Sequence, residues 1–237
     1  MSADMKAIEY LQYGEAAVLQ LNEVAKPSPK PNEVLIRNHA STVTAADIMM
    51  RNGKPLIGRL YLGLNKPSRT ILGFEFAGEV VEVGAEVTLF KAGDKVFGGT
   101  TTLGCYAEYV CVSEHDVITT MPTNISYQEA APVSGSAITV LNFLKGLANI
   151  QANQKVLING ASGALGTYAV QIAKHYGAVV TGVCSTGNVE MVKALGADTV
   201  IDYTREDFTK NGEQYDIIFD TVGKRTFSEC KNSLSQN

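Results

Sequence analysis

The pattern of apolar and polar positions changes character about halfway along the chain. The first 120 or so residues read as short strand-forming runs: KAIEY, LQLNEV, EVLIRNHAST, ILGFEFAGEVVEVG, GDKVFGG and CYAEYVCV. Gly, Pro and Asn separate them, as expected between strands. One short helix, TAADIMMRN over 44–52, interrupts this β-rich part, and Pro27, Pro29 and Pro31 mark a turn. The stretch GKPLIGRLYLGLNKPSR, 53–69, has no clean period and reads as a long loop, of the kind that is usually functional or mobile.

From about residue 122 the pattern turns helical. Ser126 and Glu129 have the spacing of a capping box opening SYQEAAPVSGSAITVLNFLKGL, a helix that Pro132 and Gly135 should bend or break. Strand-like runs KVLIN, AVVTGV, TVIDY and DIIFDTV then alternate with TYAVQIAKHYG, NVEMVKALG, a short EDF turn and RTFSECKNSL. Such alternation predicts a parallel sheet flanked by helices, with ligands at the C-terminal strand ends. The fold class expected is therefore α/β, with a β-rich domain over 1–122 and a parallel-sheet domain over 123–237.

The clearest chemical motif is KVLINGASGALG, 155–166, where an apolar run breaks into a glycine-spaced loop at the start of a helix. In a dinucleotide-binding βαβ unit, small residues permit a tight turn, close approach to a pyrophosphate and close helix packing. The helix N-terminus adds free N–H groups and a partial positive charge. Ala161, Gly163 and Gly166 take those three roles, with Gly160 just before them and Ser162, Ala164 and Leu165 completing the loop. A second strand, 178–183, follows after a helix of ordinary length, as the unit requires.

Composition narrows the partners. With 237 residues, 45% hydrophobic and 19% charged, the chain reads as a soluble globular protein. A net charge of −4 without a block of basic residues argues against nucleic acid or an anionic membrane as the main partner. The opening MSADMKAIEY lacks the apolar core of a secretory signal, and the expected location is cytoplasmic. Cys105, Cys111, Cys184 and Cys230 show no CxxC spacing, and His39, His115 and His175 are scattered. Reduced, buried thiols and no metal site are expected from that inventory.

Taken together, MKAIEYLQYGEAAVLQLNEV, ILGFEFAGEVVEVG followed by GDKVFG, YAEYV, GASGALG, and ALGADTVIDY before YDIIFDTVG resemble the medium-chain dehydrogenase/reductase superfamily. Within it, the chain is most similar to the zinc-independent quinone oxidoreductase branch. The resemblance runs along the whole chain and implies an N-terminal GroES-like β domain joined to a Rossmann domain. Zinc-dependent relatives carry a metal-binding Cys where Thr44 stands and a His where Phe74 stands. Glu75 alone cannot supply the three protein ligands of a catalytic zinc. The implied chemistry is direct hydride delivery to a quinone or an activated alkene or carbonyl.

No carboxylate occurs in GVCSTGN, 182–188, where an NAD site would place one against the ribose. Ser185, Thr186 and Asn188 are positioned to hydrogen-bond a 2′-phosphate, and by resemblance Tyr203 also reaches toward it. NADPH is expected over NADH, although Asn188 stands where some relatives have Lys. The resemblance places Thr139 near the nicotinamide and Thr44 and Phe74 on the acceptor side; Tyr61, in the long loop, is a further acceptor-side candidate and a candidate proton donor to the reduced substrate. No residue stands out as an obligatory acid or base. Asp47 and Arg51, at i and i+4, match polar positions of the family and equally have the spacing of a local surface pair, and Lys54, Arg59, Lys66 and Arg69 form a solvated face.

Family members continue well beyond the point where this chain stops, and their full-length form is implied to be a homodimer. A truncated Rossmann sheet with an exposed fourth strand, inactive or marginally stable, is therefore expected. Two alternatives stay open: a zinc-free alcohol dehydrogenase-like enzyme, and a non-catalytic NADPH-binding sensor.

Overall fold

The structure is a computed structural model describing residues 4–235. The chain forms two compact units, Met1–Gly135 and Ser136–Asn237. In the first, β1 (Asp4–Tyr10) pairs antiparallel with β2 (Leu19–Ala25). The strands β3 (Glu33–Ser41), β4 (Glu75–Val83), β5 (Lys95–Gly99), β6 (Tyr109–Ser113) and β7 (Val117–Thr120) form an antiparallel sheet in the order β6-β3-β4-β5-β7. Its core gathers Val34, Ile36, Phe76, Val80, Val96, Val110 and Val112, the inward members of alternating strands. The sequence pattern did not show β7, whose four residues are too few to display an alternation.

Helix α1 (Ala45–Asn52) starts on a Thr44–Asp47 capping box and stops at Gly53, whose φ of 61° is the left-handed conformation that ends helices. The expected long loop after it is structured. A 3₁₀ turn at Leu56–Gly58 leads into α2 (Arg59–Leu62), a single turn too short to show a helical period. Tyr13 holds it in place: its hydroxyl donates to the Gly63 carbonyl at 2.6 Å, and the Arg59 guanidinium lies 4.4 Å over its ring. The Ser126–Glu129 capping box opens α3 (Tyr127–Ala130). As Pro132 and Gly135 predict, the helical run is then interrupted, by wide π turns at Val133–Ala137 and Asn142–Leu147 around α4 (Ile138–Leu141).

The second unit is a four-stranded parallel sheet in the order β10-β9-β8-β11, built from β8 (Lys155–Asn159), β9 (Val179–Cys184), β10 (Thr199–Asp202) and β11 (Ile217–Asp220). Val156, Leu157 and Ile158 in β8 are all fully buried, the continuous apolar run of a strand covered on both faces. Helix α5 (Ala164–His175) packs Ala169, Val170 and Ala173 into this core, and α6 (Val189–Ala194) adds Val192. The chain steps from β8 outward to β9 and β10, then returns with β11 on the other side of β8. That reversal opens a crevice at the C-terminal ends of β8 and β11, where open parallel sheets bind ligands.

Beyond β11 come α7 (Phe227–Cys230) and a 3₁₀ turn at Lys231–Ser233. The fourth strand's edge, expected to be bare, is covered at its start. Tyr215 N–H donates to the Ser233 carbonyl at 2.8 Å, and Ser235 N–H returns to the Tyr215 carbonyl at 2.9 Å. Among the described residues, no helix is long and apolar enough to cross a membrane.

Candidate functional site

A cavity of about 620 Å³ occupies the crevice at the strand reversal. Its walls include Asn159, Gly160, Ser162 and Gly163 from the end of β8, Tyr203 and Phe208 after β10, and Thr221, Val222, Lys224 and Arg225 after β11. The glycine loop and the two flanking strand ends thus meet at one place. Asp220 shapes the far wall: its carboxylate accepts from Asn159 Nδ2 at 2.9 Å and from Val222 N–H at 2.9 Å. Thr221 Oγ1 donates to the Asn159 carbonyl at 2.8 Å, tying the ends of β8 and β11 together.

Within the loop, the backbone redistributes the three roles read from the sequence. The tight turn belongs to Gly160, not Ala161: Gly160 has φ 82°, and a Cβ there would meet Thr221 Oγ1 at 2.5 Å. Ala161 is instead fully buried behind the loop, against β9 and α6. Gly166 allows close packing, since a Cβ would lie 2.1 Å from the Gly160 carbonyl oxygen. Gly163 is exposed, and a Cβ there would meet only the Gly160 carbonyl oxygen, at 3.4 Å. Ala164 begins α5 and Leu165 packs onto the core. Whereas α1, α3 and α7 each start with a capping box, α5 starts with no side-chain cap and no acidic residue in its first turn. Its first N–H groups are therefore left for a ligand.

The polar residues after β9 are brought together, but differently from their reading as a free cluster. Asn188 Nδ2 donates to Ser185 Oγ at 3.1 Å and to Ser162 Oγ at 3.3 Å, joining this loop to the glycine loop. Thr186 Oγ1 donates to Asp202 Oδ2 at 2.6 Å. The segment 182–188 has no carboxylate of its own, yet the end of β10 delivers one. Thr186 holds the Asp202 carboxyl below the usual range, with help from Thr204 and Arg205. Arg205 Nε stands 3.6 Å from Asp202 and balances its charge. Tyr203 is exposed beside them and lines the cavity. Thr139 sits half-buried on α4 and is not part of that wall.

On the β-rich unit the three acceptor-side residues have separate surroundings. Thr44 caps α1, donating to Asp47 Oδ2 at 2.6 Å. Phe74 packs half-buried beside Tyr10 and Leu72, and Tyr61 on α2 is 89% exposed. Asp47 and Arg51 do not pair with each other. Asp47 is buried and also accepts from Gly73 N–H at 3.1 Å, while Arg51 donates to the Gly14 carbonyl and faces Glu15 at 3.7 Å. Glu75 is buried too; burial pushes its carboxyl above the ordinary range, against the opposing hydrogen bonds from Thr42 and the Gly135 N–H. Cys105, Cys184 and Cys230 are buried free thiols, and burial raises each of them.

Sequence reasoning missed Asn159, Phe208, Thr221, Val222, Lys224 and Arg225 as cavity walls. The available signal was DTVG directly after a parallel strand, since ligands collect at such strand ends.

Comparison with known proteins agrees with this architecture. Residues 30–123 match the model of the alcohol dehydrogenase GroES-like domain, and residues 164–237 match that of the zinc-binding dehydrogenase. The chain is 35% identical over 233 residues to a 2-methylene-furan-3-one reductase of Solanum lycopersicum, covering 94% of this chain and 58% of that protein. It is 35% identical over 246 residues to a chloroplastic quinone-oxidoreductase homolog of Spinacia oleracea, covering 98% of this chain and 72% of that one. The Escherichia coli quinone oxidoreductase solved with NADPH superposes with a TM-score of 0.85 at 29% identity, over 98% of this chain and 70% of that chain. The chain therefore belongs to the medium-chain dehydrogenase/reductase superfamily, in its quinone oxidoreductase-like branch.

The zinc in the second model's description does not fit the residues present. Thr44 is committed to a helix cap and Phe74 offers no donor atom. Among the described residues, no group of three or more His, Cys, Asp and Glu is placed to hold an ion.

Proposed function

We propose that this chain is a reductase of electron-poor acceptors, quinones or activated alkenes and carbonyls, that uses NADPH and no metal. The observation that carries the reading is the cavity at the strand reversal, walled by the glycine loop and open to the uncapped start of α5. When bound, the nicotinamide supplies a hydride; the chain's own residues bind, orient and keep the site dry. Gly163 leaves room for a pyrophosphate against the α5 N–H groups, while Val222 and Phe208 give the adenosine an apolar wall. Ser185, Asn188 and Tyr203 are the hydrogen-bonding partners of the 2′-phosphate in this reading. Nothing in the set needs a Lewis acid, because acceptors of this class take up hydride without one.

The test is titration of the chain with NADPH and NADH by calorimetry, followed by NADPH oxidation with a benzoquinone and an enone. Tighter binding of NADPH and acceptor-dependent oxidation are expected. Binding without NADPH oxidation by either acceptor would leave a nucleotide-binding protein rather than a reductase, and absence of binding would remove the site altogether.

A further inference from the structure

The segment between Asp47 and Glu75 has an unusual charge. It contains five cations, Arg51, Lys54, Arg59, Lys66 and Arg69, and no Asp or Glu, in a chain whose net charge is −4. The whole-chain charge, which by itself argued against an anionic membrane, hides this segment. Inside it, Leu56, Ile57, Leu60, Tyr61 and Leu64 are all exposed, from 65% for Leu64 to 89% for Tyr61.

Exposed apolar residues on a loose loop would mean little, but this loop is pinned from beneath. Tyr13 bonds Gly63 and lies under Arg59, and Arg59 Nε donates to the Gly53 carbonyl at 3.1 Å. A Cβ on Gly53 would strike the Tyr13 ring at 2.8 Å, so the loop closes tightly around that ring. Arg51 and Arg59 are spent on this scaffold. The side chains of Lys54, Lys66 and Arg69 have no hydrogen-bond or ion-pair partner among the described residues. The outcome is a pinned loop that exposes five apolar side chains together with three cations that have no partner among the described residues.

We infer that residues 54–69 dock this protein onto the surface of an anionic lipid bilayer. The apolar side chains would enter the boundary between headgroups and acyl chains, with Tyr61 at the interfacial level that tyrosine favours. The three free cations would sit against anionic headgroups, each strengthening attachment about fivefold. Charge decides among possible occupants. A second copy docking face to face would bring two clusters of cations together, whereas an anionic membrane complements both the charge and the apolar area. The inference stands independently of the nucleotide site.

The experiment is cosedimentation of the chain with vesicles of phosphatidylcholine alone and of phosphatidylcholine with phosphatidylserine. Binding should appear with phosphatidylserine and weaken as salt is raised. The exposed-site variant Leu56→Ser/Leu60→Ser should bind at least about tenfold less tightly. Lys54→Glu/Lys66→Glu should lose about thirtyfold or more. Unchanged urea midpoints establish that both variants fold; if either does not, the lipid and salt titrations of the parent chain still decide. No binding to phosphatidylserine vesicles, or equal binding by parent and folded variants, overturns the inference. A dimer that dissociates on Leu56→Ser/Leu60→Ser without any vesicle binding overturns it in favour of self-association.

Discussion

Glu75 is a buried carboxyl whose neighbours are the Thr42 hydroxyl, the Gly135 N–H and a second buried carboxylate, Asp47. Burial is the largest influence and raises its proton affinity in the folded state. Between the ordinary carboxylate range and that raised value, the folded chain holds a proton that the unfolded chain has lost. Folding stability from this residue therefore falls as pH rises through that window. Carboxylates such as Asp216, lowered by the Ser235 hydroxyl and the Lys155 N–H, act in the opposite sense and lose their contribution as pH falls. The expected result is that Glu75→Gln removes part of the decline on the alkaline side while leaving the acid limb in place. Urea midpoints of both chains across a pH series check it; parallel curves would mean that Glu75 does not ionise in the window. None of this was legible in the sequence, where Glu75 stood out only as a lone residue unable to hold zinc. Its environment depends on Thr42 and Gly135, which the fold brings in from 33 residues before and from 60 residues after it (135 − 75).

At the scale of elements, the glycine loop and α5 form one mechanical piece. Gly166 in the first turn of the helix meets the Gly160 carbonyl so closely that an added Cβ would sit 2.1 Å from oxygen and 2.6 Å from Ala161 Cα. Both are backbone atoms, so relief requires moving the loop or the helix. Gly166→Ala should cost about 3 kcal/mol of stability. Gly163→Ala meets only an ordinary contact and should leave the urea midpoint nearly unchanged while weakening NADPH binding. If the two variants proved equally stable in urea melts, the division of labour between these glycines would be wrong. The strand, loop and helix themselves were legible, because apolar run, small residues and amphipathic stretch follow one another without a break. Which small residue makes the turn was not, since that depends on φ at Gly160 and on Thr221 and Val222 more than sixty residues later. Likewise α2 is invisible in sequence: a four-residue helix between Gly58 and Gly63 carries no period, and the ring that organises it belongs to Tyr13. The capping boxes at Thr44 and Ser126 are local and short-range; the second was read directly from its spacing.

For the molecule as a whole, both architectures were legible, the antiparallel unit from its punctuated strands and the parallel unit from alternation of strand and helix. The cavity was only half legible. Its first wall is a contiguous motif, whereas its other walls come from the ends of β10 and β11, and only the strand order β10-β9-β8-β11 places them opposite the loop. With walls from three distant stretches, a nucleotide bound as proposed would be a ligand of the finished fold alone. An unfolded chain, or one with β11 undocked, presents the same glycine loop but no opposite wall. NADPH should therefore stabilise the second unit by about 2.7 kcal/mol at a hundredfold excess over its dissociation constant, and its melting temperature should rise with the logarithm of NADPH concentration. Calorimetric scans at several NADPH concentrations check this; a concentration-independent melt would show that the nucleotide does not bind the folded unit in preference to the unfolded chain. In a cell, such coupling would make the supply of reduced nucleotide a determinant of how long each newly made chain survives quality control.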